Sequence, residues 1–536
     1  MADEGIRRVL GVEGTAWAAS AAVFDVETDE VVIHTEAYEP DSGGIHPREA
    51  AEHMAEHLPD VAERALATAS EWADGADPPV DAVAFSRGPG LGPCLRLAAT
   101  TARSLSQRLD VPLVGVNHMV AHLEIGRHQS GFADPVCLNA SGANAHVLAY
   151  RNGRYRVLGE TMDTGVGNAI DKFTRHLGWS HPGGPKVEAA ANDGEYVELP
   201  YVVKGMDFSF AGISSAAKQA VDDGVPVEDV CRGLEETVFA MLTEVSERAL
   251  SLTGAAELVL GGGVGQNRRL QGMLESMCDQ RGADLFVPED RFLRDNAGMI
   301  AVLGATMARV GDTLPIPDSR IDADFRPDEV AVTWREKEGP RRTGGEATRV
   351  QGAEATVDIG ESVVEKDRSP RAYRHPDLDA RLRRRRTREE ARLLHEARGE
   401  GVPTPVIHDV DPREGALVME RVGDAELRSV LDEERVRAVA EHLARLHGAG
   451  MVHGDPTTRN VRVDDRRAYL IDFGLGYYSR DPEDHAMDLH VLRQSLAGTA
   501  DDAETLGSAV VDAYAAVGES AVLDRLREIE GRGRYR

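Results

Sequence analysis

Two histidines in the N-terminal half of this 536-residue chain have the spacing of a metal-binding pair. His118 and His122 lie on a predicted helix, where side chains four residues apart project from one face and can hold one ion. The spacing is weakly specific by itself, because His53 and His57 share it. Met119 stands where the zinc-protease motif H-E-x-x-H has its glutamate, which disfavours a metalloprotease.

Several small-residue or glycine-rich segments accompany this pair and could close over a nucleotide. Such turns let backbone N–H groups approach phosphate oxygens, and two of them follow predicted strands. The segments are residues 141–144, 163–172, 183–188 and 261–267. One such turn alone is typical of an ordinary β-turn. Four in sequence, followed by Arg-Asp-Asn-Ala-Gly-Met at 294–299, indicate a metal-assisted nucleotide site.

A second group of residues, near the C-terminus, is typical of phosphoryl transfer. Asp455 and Asn460 have the D-x-x-x-x-N spacing of a kinase catalytic loop, and Asp472 begins an Asp-Phe-Gly triplet after an apolar run. In this pattern Asp455 accepts the proton of the attacking hydroxyl or water, while Asn460 and Asp472 bind the magnesium ions that bridge the phosphates. Their order and separation predict kinase ancestry.

Other kinase features are present only in part. Lys366 is the sole lysine of residues 350–536 and the candidate for binding the α- and β-phosphates of ATP, with Glu390 as its ion-pair partner. Residues 352–355 stand where a full glycine-rich loop would cover the phosphates, and no A-P-E motif or long activation segment follows Asp472. We expect an atypical kinase or ATPase that does not dock ordinary peptide substrates.

Two α/β segments must position these residues. Up to about residue 327, strand-like apolar runs alternate with helical patterns, the longest helix falling near 47–73. The runs are 9–12, 21–24, 31–35, 82–85, 113–116, 136–139 and 258–260. The second segment has strand-like runs at 355–359, 362–366 and 416–419, a helix near 388–397 and mostly helix beyond 432. We predict domains at 1–327 and 350–536, joined by a polar linker at 328–349.

The charge and composition indicate the environment in which the protein works and the partners that it can have. The 61 basic and 91 acidic residues give a net charge of −30, typical of a halophilic surface. At 1 M salt a Debye length of roughly 3 Å mutes repulsion, so the charge does not exclude an RNA partner. The four cysteines are widely spaced, which indicates neither a zinc knuckle nor a disulfide framework. With no apolar signal core and no membrane-length apolar run, we expect a soluble cytoplasmic protein.

The N-terminal motifs resemble the tRNA threonylcarbamoyladenosine transferase family. The resemblance covers about residues 6–326 and is carried by 43–49, the pair His118 and His122, 141–144, 207–213 and 294–299. It implies the duplicated RNase-H-like (ASKHA) fold of actin, Hsp70 and sugar kinases, with nucleotide held between two lobes. It also implies transfer of a threonylcarbamoyl group from threonylcarbamoyl-AMP to N6 of the adenosine beside the anticodon, in tRNAs reading codons that begin with A.

The same resemblance assigns candidate site residues. It implies that His118, His122 and Asp295 bind one iron or zinc ion. Asn139 stands where the family has a tyrosine, so the fourth ligand and the identity of the metal stay open. The positions that match nucleotide or acyl-adenylate contacts are Asn139, Ala140, Ser141, Gly142, Ala143, Asp171, Gly184, Glu188 and Asn267. Ala143 replaces the second glycine of the family's Ser-Gly-Gly-Asn.

Residues 350–536 resemble the small atypical serine/threonine kinase of the archaeal KEOPS complex, through 373–379, 386–387, 453–455 and the last five residues. The family's Leu and Ser in the catalytic loop are Pro456 and Arg459 here. The resemblance implies ATP and magnesium as cofactors, and tRNA and other KEOPS subunits as partners. The arginines at 383–386 and at the C-terminus are candidate contacts to tRNA phosphates, although the internal run is equally typical of a solvated helix face.

The leading hypothesis is therefore a bifunctional archaeal KEOPS fusion, a tRNA-modifying transferase joined to a regulatory kinase or ATPase. Two alternatives stay open at this point. One is an actin-like small-molecule kinase with an appended protein kinase, and the other is a regulatory protein kinase with an N-terminal docking scaffold. The His118, His122 and Asp295 group discriminates among them, because neither alternative requires a histidine-bound metal.

Overall fold

The computed structural model of the protein describes residues 5–38, 45–142, 144–151, 153–204, 206–335, 349–352, 355–465 and 467–532. Five of the predicted features therefore lie wholly or partly outside the described residues. They are Gly43 and Gly44 of the first motif, Ala143 of the nucleotide turn, residues 336–348 of the predicted linker, residues 353–354 of the segment in place of the glycine-rich loop, and the C-terminal arginines beyond Arg532.

The first lobe is built on a five-stranded sheet. Its elements are β1 (Arg8–Glu13), β2 (Ala18–Asp25), β3 (Glu30–Ala37), α1 (Pro47–Trp72), β4 (Ala82–Gly88), α2 (Gly92–Leu109), β5 (Leu113–Asn117) and α3 (His118–Ser130). The strand order is β3-β2-β1-β4-β5, in which β1 to β3 form an antiparallel meander and β4 and β5 run parallel to β1. Strands β1 and β2 are buried along their whole length, because helices cover both faces of the sheet.

The second lobe repeats this topology. Its elements are β6 (Val136–Ala140), β7 (Ala145–Arg151), β8 (Arg154–Glu160), α4 (Val166–His176), α5 (Gly184–Ala191), β9 (Val203–Lys204), β10 (Asp207–Phe208), α6 (Ala211–Asp222), α7 (Val227–Thr253), β11 (Glu257–Gly261), α8 (Arg268–Arg281), β12 (Asp284–Phe286) and α9 (Asp290–Leu293). The order β8-β7-β6-β11-β12 again joins an antiparallel meander to two parallel strands. This repetition confirms the duplicated fold, and the two lobes together are called the N-terminal module.

Helix α10 (Ala297–Arg309) returns from the second lobe to the first sheet. With α3 it fills a core between the two sheets, which includes Ala84 and Val114 of the first sheet and Leu148 and Val259 of the second. The approach of α10 to the first sheet is close, because a Cβ atom on Gly304 would lie 2.3 Å from that of Ala84. The relative position of the lobes is therefore fixed by close packing.

The C-terminal module has the two lobes of a kinase-like fold. Its elements are β13 (Arg349–Gln351), β14 (Thr356–Ile359), β15 (Val363–Asp367), α11 (Pro376–Gly399), β16 (Ile407–Asp411), β17 (Ala416–Glu420), β18 (Ala425–Glu426), α12 (Glu433–Gly448), β19 (Met451–Val452), β20 (Val461–Val463), β21 (Ala468–Leu470), β22 (Tyr477–Tyr478), α13 (Pro482–Thr499), α14 (Ala503–Val517) and α15 (Ser520–Arg532). An antiparallel sheet of order β13-β14-β15-β17-β16 packs with α11, and the remaining helices form the second lobe.

Most of the predicted strands coincide with observed ones, but α11 is much longer than predicted. It begins at Pro376 rather than near Arg388, because proline suits the first helical position and the His375 side chain accepts a hydrogen bond from Asp377 N at 3.3 Å. The mostly helical region predicted beyond residue 432 also contains the short strands β19 to β22.

Both modules contribute to one hydrophobic core. Tyr373, Leu378 and Leu382 of the C-terminal module are at most 1% exposed. They pack with the helices of the second lobe of the N-terminal module. All four cysteines are buried free thiols. Among the described helices, none has the length and apolar character needed to cross a membrane.

The contact between β1 and α10 can be tested with one methyl group. A Cβ atom on Gly11 would lie 2.4 Å from Ala297 O and 2.8 Å from Ala301 N, so Gly11→Ala is expected to lower the free energy of unfolding by about 1–3 kcal/mol through overpacking. Gly272 in α8 faces open space, so Gly272→Ala should instead raise it by about 0.5–1 kcal/mol. Urea unfolding measures both, and equal shifts would contradict the close contact.

Candidate active sites

The first site begins where β5 passes into α3. Asn117 ends the strand and caps the helix, since its side chain accepts hydrogen bonds from Met119 N and Val120 N at 3.0 Å each. This cap places His118 in the first turn of the helix and His122 one turn later. Their rings are 5.0 Å apart and nearly perpendicular, and both side chains are buried between the lobes.

Asp295 meets both histidines, although it follows them by more than 170 residues. Its Oδ1 atom lies 3.2 Å from His118 Nε2 and 3.4 Å from His122 Nε2. The three candidate ligand atoms lie within 4.8 Å of one another. Two imidazoles and one carboxylate suit zinc or ferrous iron, so the residues present fit the metal that the sequence predicts.

Glu13 is a fourth member of this cluster and was not predicted from the sequence. This fully buried carboxylate at the end of β1 lies 3.2 Å from His118 Nδ1. Burial opposes a charge on His118, but Glu13 and Asp295 outweigh it and raise the pKa of this histidine to about 10. The contact of Glu13 with Nδ1 orients the ring so that Nε2 faces Asp295. A metal-binding imidazole usually has such a carboxylate at its other ring nitrogen.

Asn139 occupies the position of the family's tyrosine and is paired with a second unpredicted residue, His146. The two face each other across β6 and β7, and Asn139 Nδ2 donates to His146 Nε2 at 3.4 Å. Burial, and then the nearby His122 and His118, lower the pKa of His146 to about 3, so its ring is neutral and can accept. Asn139 Oδ1 is buried and has no hydrogen-bond partner within the described part of the chain.

A turn between β6 and β7 carries the predicted phosphate contacts. Ser141 closes it, since its Oγ donates to Asn144 O at 2.9 Å and accepts from Asn144 N at 3.1 Å. Gly142 O accepts from Asn168 N at 2.8 Å, which ties the turn to the start of α4. Gly262 lies against the same strand and has φ +84°. A Cβ atom added at this position would lie 2.5 Å from Asn139 Oδ1. Only glycine fits there.

The remaining predicted nucleotide residues lie on helices of the second lobe, and three of them already have partners. Asp171 Oδ1 accepts from Gly183 N at 2.8 Å, and Glu188 Oε1 accepts from Arg268 N at 2.9 Å. Gly184 begins α5 and faces open space. Asn267 caps α8, and its amide also donates to Glu235 at 2.7 Å. Its side chain therefore orders the turn that precedes α8.

In the C-terminal module the structure brings the predicted kinase residues together. Lys366 Nζ lies 2.9 Å from Glu390 Oε1 and 2.7 Å from Asp472 Oδ1. Burial disfavours the ammonium, but Asp472 and Glu390 outweigh it and raise the pKa of Lys366. Arg368 forms a second ion pair with Glu390 and was not predicted. Asp472 adopts φ +62°, a left-handed conformation that is uncommon outside glycine.

The catalytic loop is held by Asp488, another residue that sequence reasoning missed. Its carboxylate on α13 accepts from His453 N at 2.7 Å and from Gly454 N at 2.8 Å. Within the loop, Asn460 Nδ2 donates to both the carbonyl and the carboxylate of Asp455 at 2.9 Å. A single aspartate inside a helix carries no motif that would have identified it.

A cavity of about 240 Å³ separates the two lobes of the C-terminal module. It is lined by Lys366, Glu390, Asp455, Asn460 and Asp472, which are the residues predicted to handle ATP. The N-terminal module also contributes to its wall, through Met206, Arg248, Ser251 and Leu252. Both modules therefore line this cavity.

The arginine run at 383–386 does not form a solvated face as a whole. Arg386 is 4% exposed and its guanidinium binds Glu244 of α7, so the predicted contact of this residue with tRNA phosphate is wrong. Arg383 donates to Asp379 at 2.8 Å, and only Arg384 and Arg385 are clearly exposed. The run is partly an interface between the modules.

Comparisons with known proteins agree with this arrangement. Residues 28–302 match the family model described as tRNA N6-adenosine threonylcarbamoyltransferase, and residues 361–491 match the RIO domain. A "probable bifunctional tRNA threonylcarbamoyladenosine biosynthesis protein" of Haloarcula marismortui is 69% identical over 98% of this chain and all of that protein. The proteins with the same description from Halobacterium salinarum and Methanosarcina acetivorans are 68% and 47% identical, and each alignment covers at least 98% of both chains.

The chain belongs to this bifunctional family. It joins a tRNA N6-adenosine threonylcarbamoyltransferase domain to a RIO kinase domain, and the leading hypothesis from the sequence is confirmed. The comparisons do not support the small-molecule kinase or the docking scaffold.

The role of Asp488 gives a prediction for this family member. Asp488→Asn replaces a charged acceptor of two loop N–H groups with a neutral one, and charged hydrogen bonds are worth about 1.5–3 kcal/mol each. We expect the rate of ATP hydrolysis to fall by about 10-fold or more as the loop loses its geometry. Asp484→Asn is the matched control on the same helix, because Asp484 pairs with Lys204 and does not contact the loop backbone. Similar losses in both variants would argue against this role.

Proposed function

We propose that the N-terminal site transfers a threonylcarbamoyl group from threonylcarbamoyl-AMP to N6 of the adenosine beside the anticodon, in tRNAs reading codons that begin with A. The buried group of His118, His122 and Asp295 carries this proposal. It lies where both lobes meet, with Asn139 of the adjoining strand leading into the Ser141 turn. Carbamoyl transfer needs positioning more than a protein nucleophile, and the site has the groups to position an acyl-adenylate.

The metal would be iron or zinc, held by His118, His122 and Asp295, with Asn139 Oδ1 as a candidate fourth donor. The buried and unpartnered Oδ1 supports this choice, because His146 binds the amide nitrogen and leaves the oxygen available. Bound there, the ion would act as a Lewis acid towards phosphate or carbamoyl oxygens. Glu13 would hold the His118 ring with Nε2 towards the ion.

The acyl-adenylate would lie along the glycine turns of the second lobe. The Ser141 N–H donates to Asn144 O at 2.9 Å and closes the turn, so the backbone N–H of Gly142 would bind the phosphate. Ala140 continues β6 into this turn. Asp171, Gly184, Glu188 and Asn267 would border the nucleoside, the last through the turn that it caps.

The C-terminal site is proposed to bind ATP with magnesium and to hydrolyse it or transfer its phosphoryl group. Lys366 would bind the phosphates and Glu390 would orient that lysine. Asp455 would accept the proton of the attacking water or hydroxyl, and Asn460 and Asp472 would bind magnesium. Because no long activation segment follows Asp472, we favour ATP turnover that regulates the tRNA reaction over phosphorylation of peptides.

Partners of this chain are proposed by chemistry and by family. tRNA is the acceptor, and the other KEOPS subunits are expected to assemble with it in the cytoplasm. The exposed Arg384 and Arg385 remain candidate phosphate contacts.

The transferase proposal is tested by mass spectrometry of tRNA nucleosides. The chain is incubated with its KEOPS partners, threonylcarbamoyl-AMP and unmodified tRNA. His118→Ala is expected to reduce bound metal and to lower product formation by about 100-fold or more, because a catalytic metal ligand is lost. His53→Ala is the matched control, since His53 on α1 shares the spacing but donates to the carbonyl of Glu36 on β3.

In this assay, the wild type and His53→Ala should retain metal and form product. Absence of product from the wild type, or undiminished product from His118→Ala, would refute the proposal.

The kinase proposal is tested by ATP hydrolysis and nucleotide binding. Asp455→Ala removes the proton acceptor, so phosphate release from ATP at the C-terminal site should fall by about 100-fold. Asp465→Ala, an exposed residue beyond the same loop, is expected to have no effect. Nucleotide binding to the N-terminal module should be unchanged in both. Equal hydrolysis by Asp455→Ala and the wild type would contradict the assignment.

A further inference from the structure

Trp17 differs from the other tryptophans of this chain in its surroundings. Trp72, Trp179 and Trp334 each pack against a hydrophobic cluster. Trp17 lies in the turn between β1 and β2, is half-buried, and belongs to none of the clusters formed by the described residues. Its ring instead faces Arg294, whose guanidinium lies 5.5 Å from the ring centroid. The indole therefore has a flat apolar face that the core does not use.

Arg294 reaches this ring from the second lobe and is itself exposed. Its Nε donates to Gln266 Oε1 at 3.1 Å, and its aliphatic stem lies against Gly263, where an added Cβ atom would be 3.6 Å from Arg294 Cγ. No carboxylate in the described part of the chain forms an ion pair with this guanidinium, although the protein has 91 acidic residues. An exposed arginine without an acidic partner is available to an anionic ligand.

Trp17 and Arg294 both adjoin the proposed metal cluster. Arg294 immediately precedes Asp295. The turn that carries Trp17 is tied to Glu13, because Thr15 N donates to Glu13 Oε1 at 2.8 Å. The reacting carbonyl of the acyl-adenylate would lie between this cluster and the glycine turns of the second lobe. The pair of side chains therefore borders the place where the group is transferred.

The acceptor base has to reach that place from outside the protein. Bases in RNA stack on their neighbours, and enzymes that modify a base take it out of the stack. Aromatic side chains commonly hold such a base, because every base has a flat face that stacks on theirs. Trp17 belongs to the first lobe, whereas the residues proposed to border the donor nucleoside belong to the second. Its ring is thus on the side from which an acceptor base would approach.

The guanidinium that covers the indole can be exchanged for a base. A base stacked on an aromatic side chain is held more strongly than an exposed cation–π contact holds an arginine, so the exchange is favourable. The released guanidinium can then bind an RNA phosphate. Stacking also suits a highly acidic protein at high salt, because phosphate contacts weaken as the salt concentration rises.

We propose that Trp17 and Arg294 form the subsite for the acceptor nucleobase of the tRNA. The base stacks on the indole face that Arg294 covers in the structure, and Arg294 moves to the adjoining phosphate. The ligand recognised is a purine that has left the stack of an RNA loop. This inference rests on the proposed transferase function, since it names residues that would bind the acceptor of that reaction.

The experiment measures binding of the base without requiring the reaction. It uses the full-length chain with its KEOPS partners and threonylcarbamoyl-AMP. Two unreactive tRNAs are compared, one with purine riboside at the acceptor position, which lacks the N6 amino group, and one with no base there. The wild type is expected to bind the purine tRNA about 10-fold more tightly than the abasic tRNA, the scale of one stacked base.

Substitutions of Trp17 should change this ratio of affinities. Trp17→Leu keeps an apolar side chain but removes the aromatic face, so the ratio should fall to within about 2-fold of one. Trp17→Phe keeps a ring and should restore most of the preference for the purine tRNA. Trp72→Leu is the matched control, since Trp72 is a half-buried tryptophan at the end of α1, and it should keep the wild-type ratio. A general loss of stability would affect both tRNAs equally.

Arg294→Gln tests the phosphate contact separately. This variant should keep a preference for the purine tRNA, because the indole face remains. The slope of the logarithm of the binding constant against the logarithm of the salt concentration should become shallower by about 0.7–0.9, the change expected for one phosphate contact. An unchanged slope would overturn the role of Arg294.

The outcomes separate this inference from the proposed function. If the wild type forms no modified nucleoside, the transferase proposal fails, whereas loss of the purine preference in Trp17→Leu would still support the base subsite. A wild-type ratio near one, or an unchanged ratio in Trp17→Leu, would overturn the inference. A raised KM for threonylcarbamoyl-AMP with an unchanged ratio would assign the indole to the adenine of the donor, and would also overturn it. If Trp17→Leu fails to fold, as judged by near-UV circular dichroism, Trp17→Met is used with the same criteria.

Discussion

The contact between α10 and the first sheet determines the geometry of the N-terminal site. Gly11 and Gly304 allow backbone and Cβ atoms to approach at distances that a larger side chain would prevent. The hydroxyl of Ser20 on β2 then accepts a hydrogen bond from the first amide of α10, Ala297 N, at 3.1 Å. Asp295 lies two residues before that amide, so seating the helix also sets the position of the carboxylate. The packing of α10 on the first sheet therefore also fixes the position of a predicted metal ligand.

A strongly acidic protein has to join its modules without relying on long-range attraction. The net charge is −30, yet the interface between the modules includes buried carboxylates on α7 that face arginines of the C-terminal module. Salt screens exposed pairs over a few ångströms but affects buried pairs much less. Apolar contacts of Tyr373 and Leu382 also stabilise the interface, and this contribution does not depend on charge. The interface is thus suited to high ionic strength.

Much of the fold followed from local sequence patterns, and the unpredicted parts share one physical cause. Apolar runs located the central strands, and the spacing of Asp455 and Asn460 identified the kinase loop, because both signals lie within a few residues. Glu13, Asp488 and Glu244 gave no such signal. Each is a carboxylate with at least one partner on a distant element, so only the tertiary structure shows that it is buried and paired. The predicted contact of Arg386 with tRNA was wrong for the same reason. A run of arginines is typical of a solvent-exposed surface, and the sequence does not show that Glu244 binds this one.

The left-handed backbone at Asp472 has a consequence for the stability of the C-terminal module. A non-glycine residue held at positive φ costs of order 1–3 kcal/mol, and the value here is +62°. Glycine would relieve that strain, and Gly474 N lies close enough to the carboxylate, at 3.4 Å, to offset only a little of it. The module therefore gives up fold stability to keep a carboxylate beside Lys366. Asp472 therefore keeps an unfavourable backbone conformation because its carboxylate is needed beside Lys366.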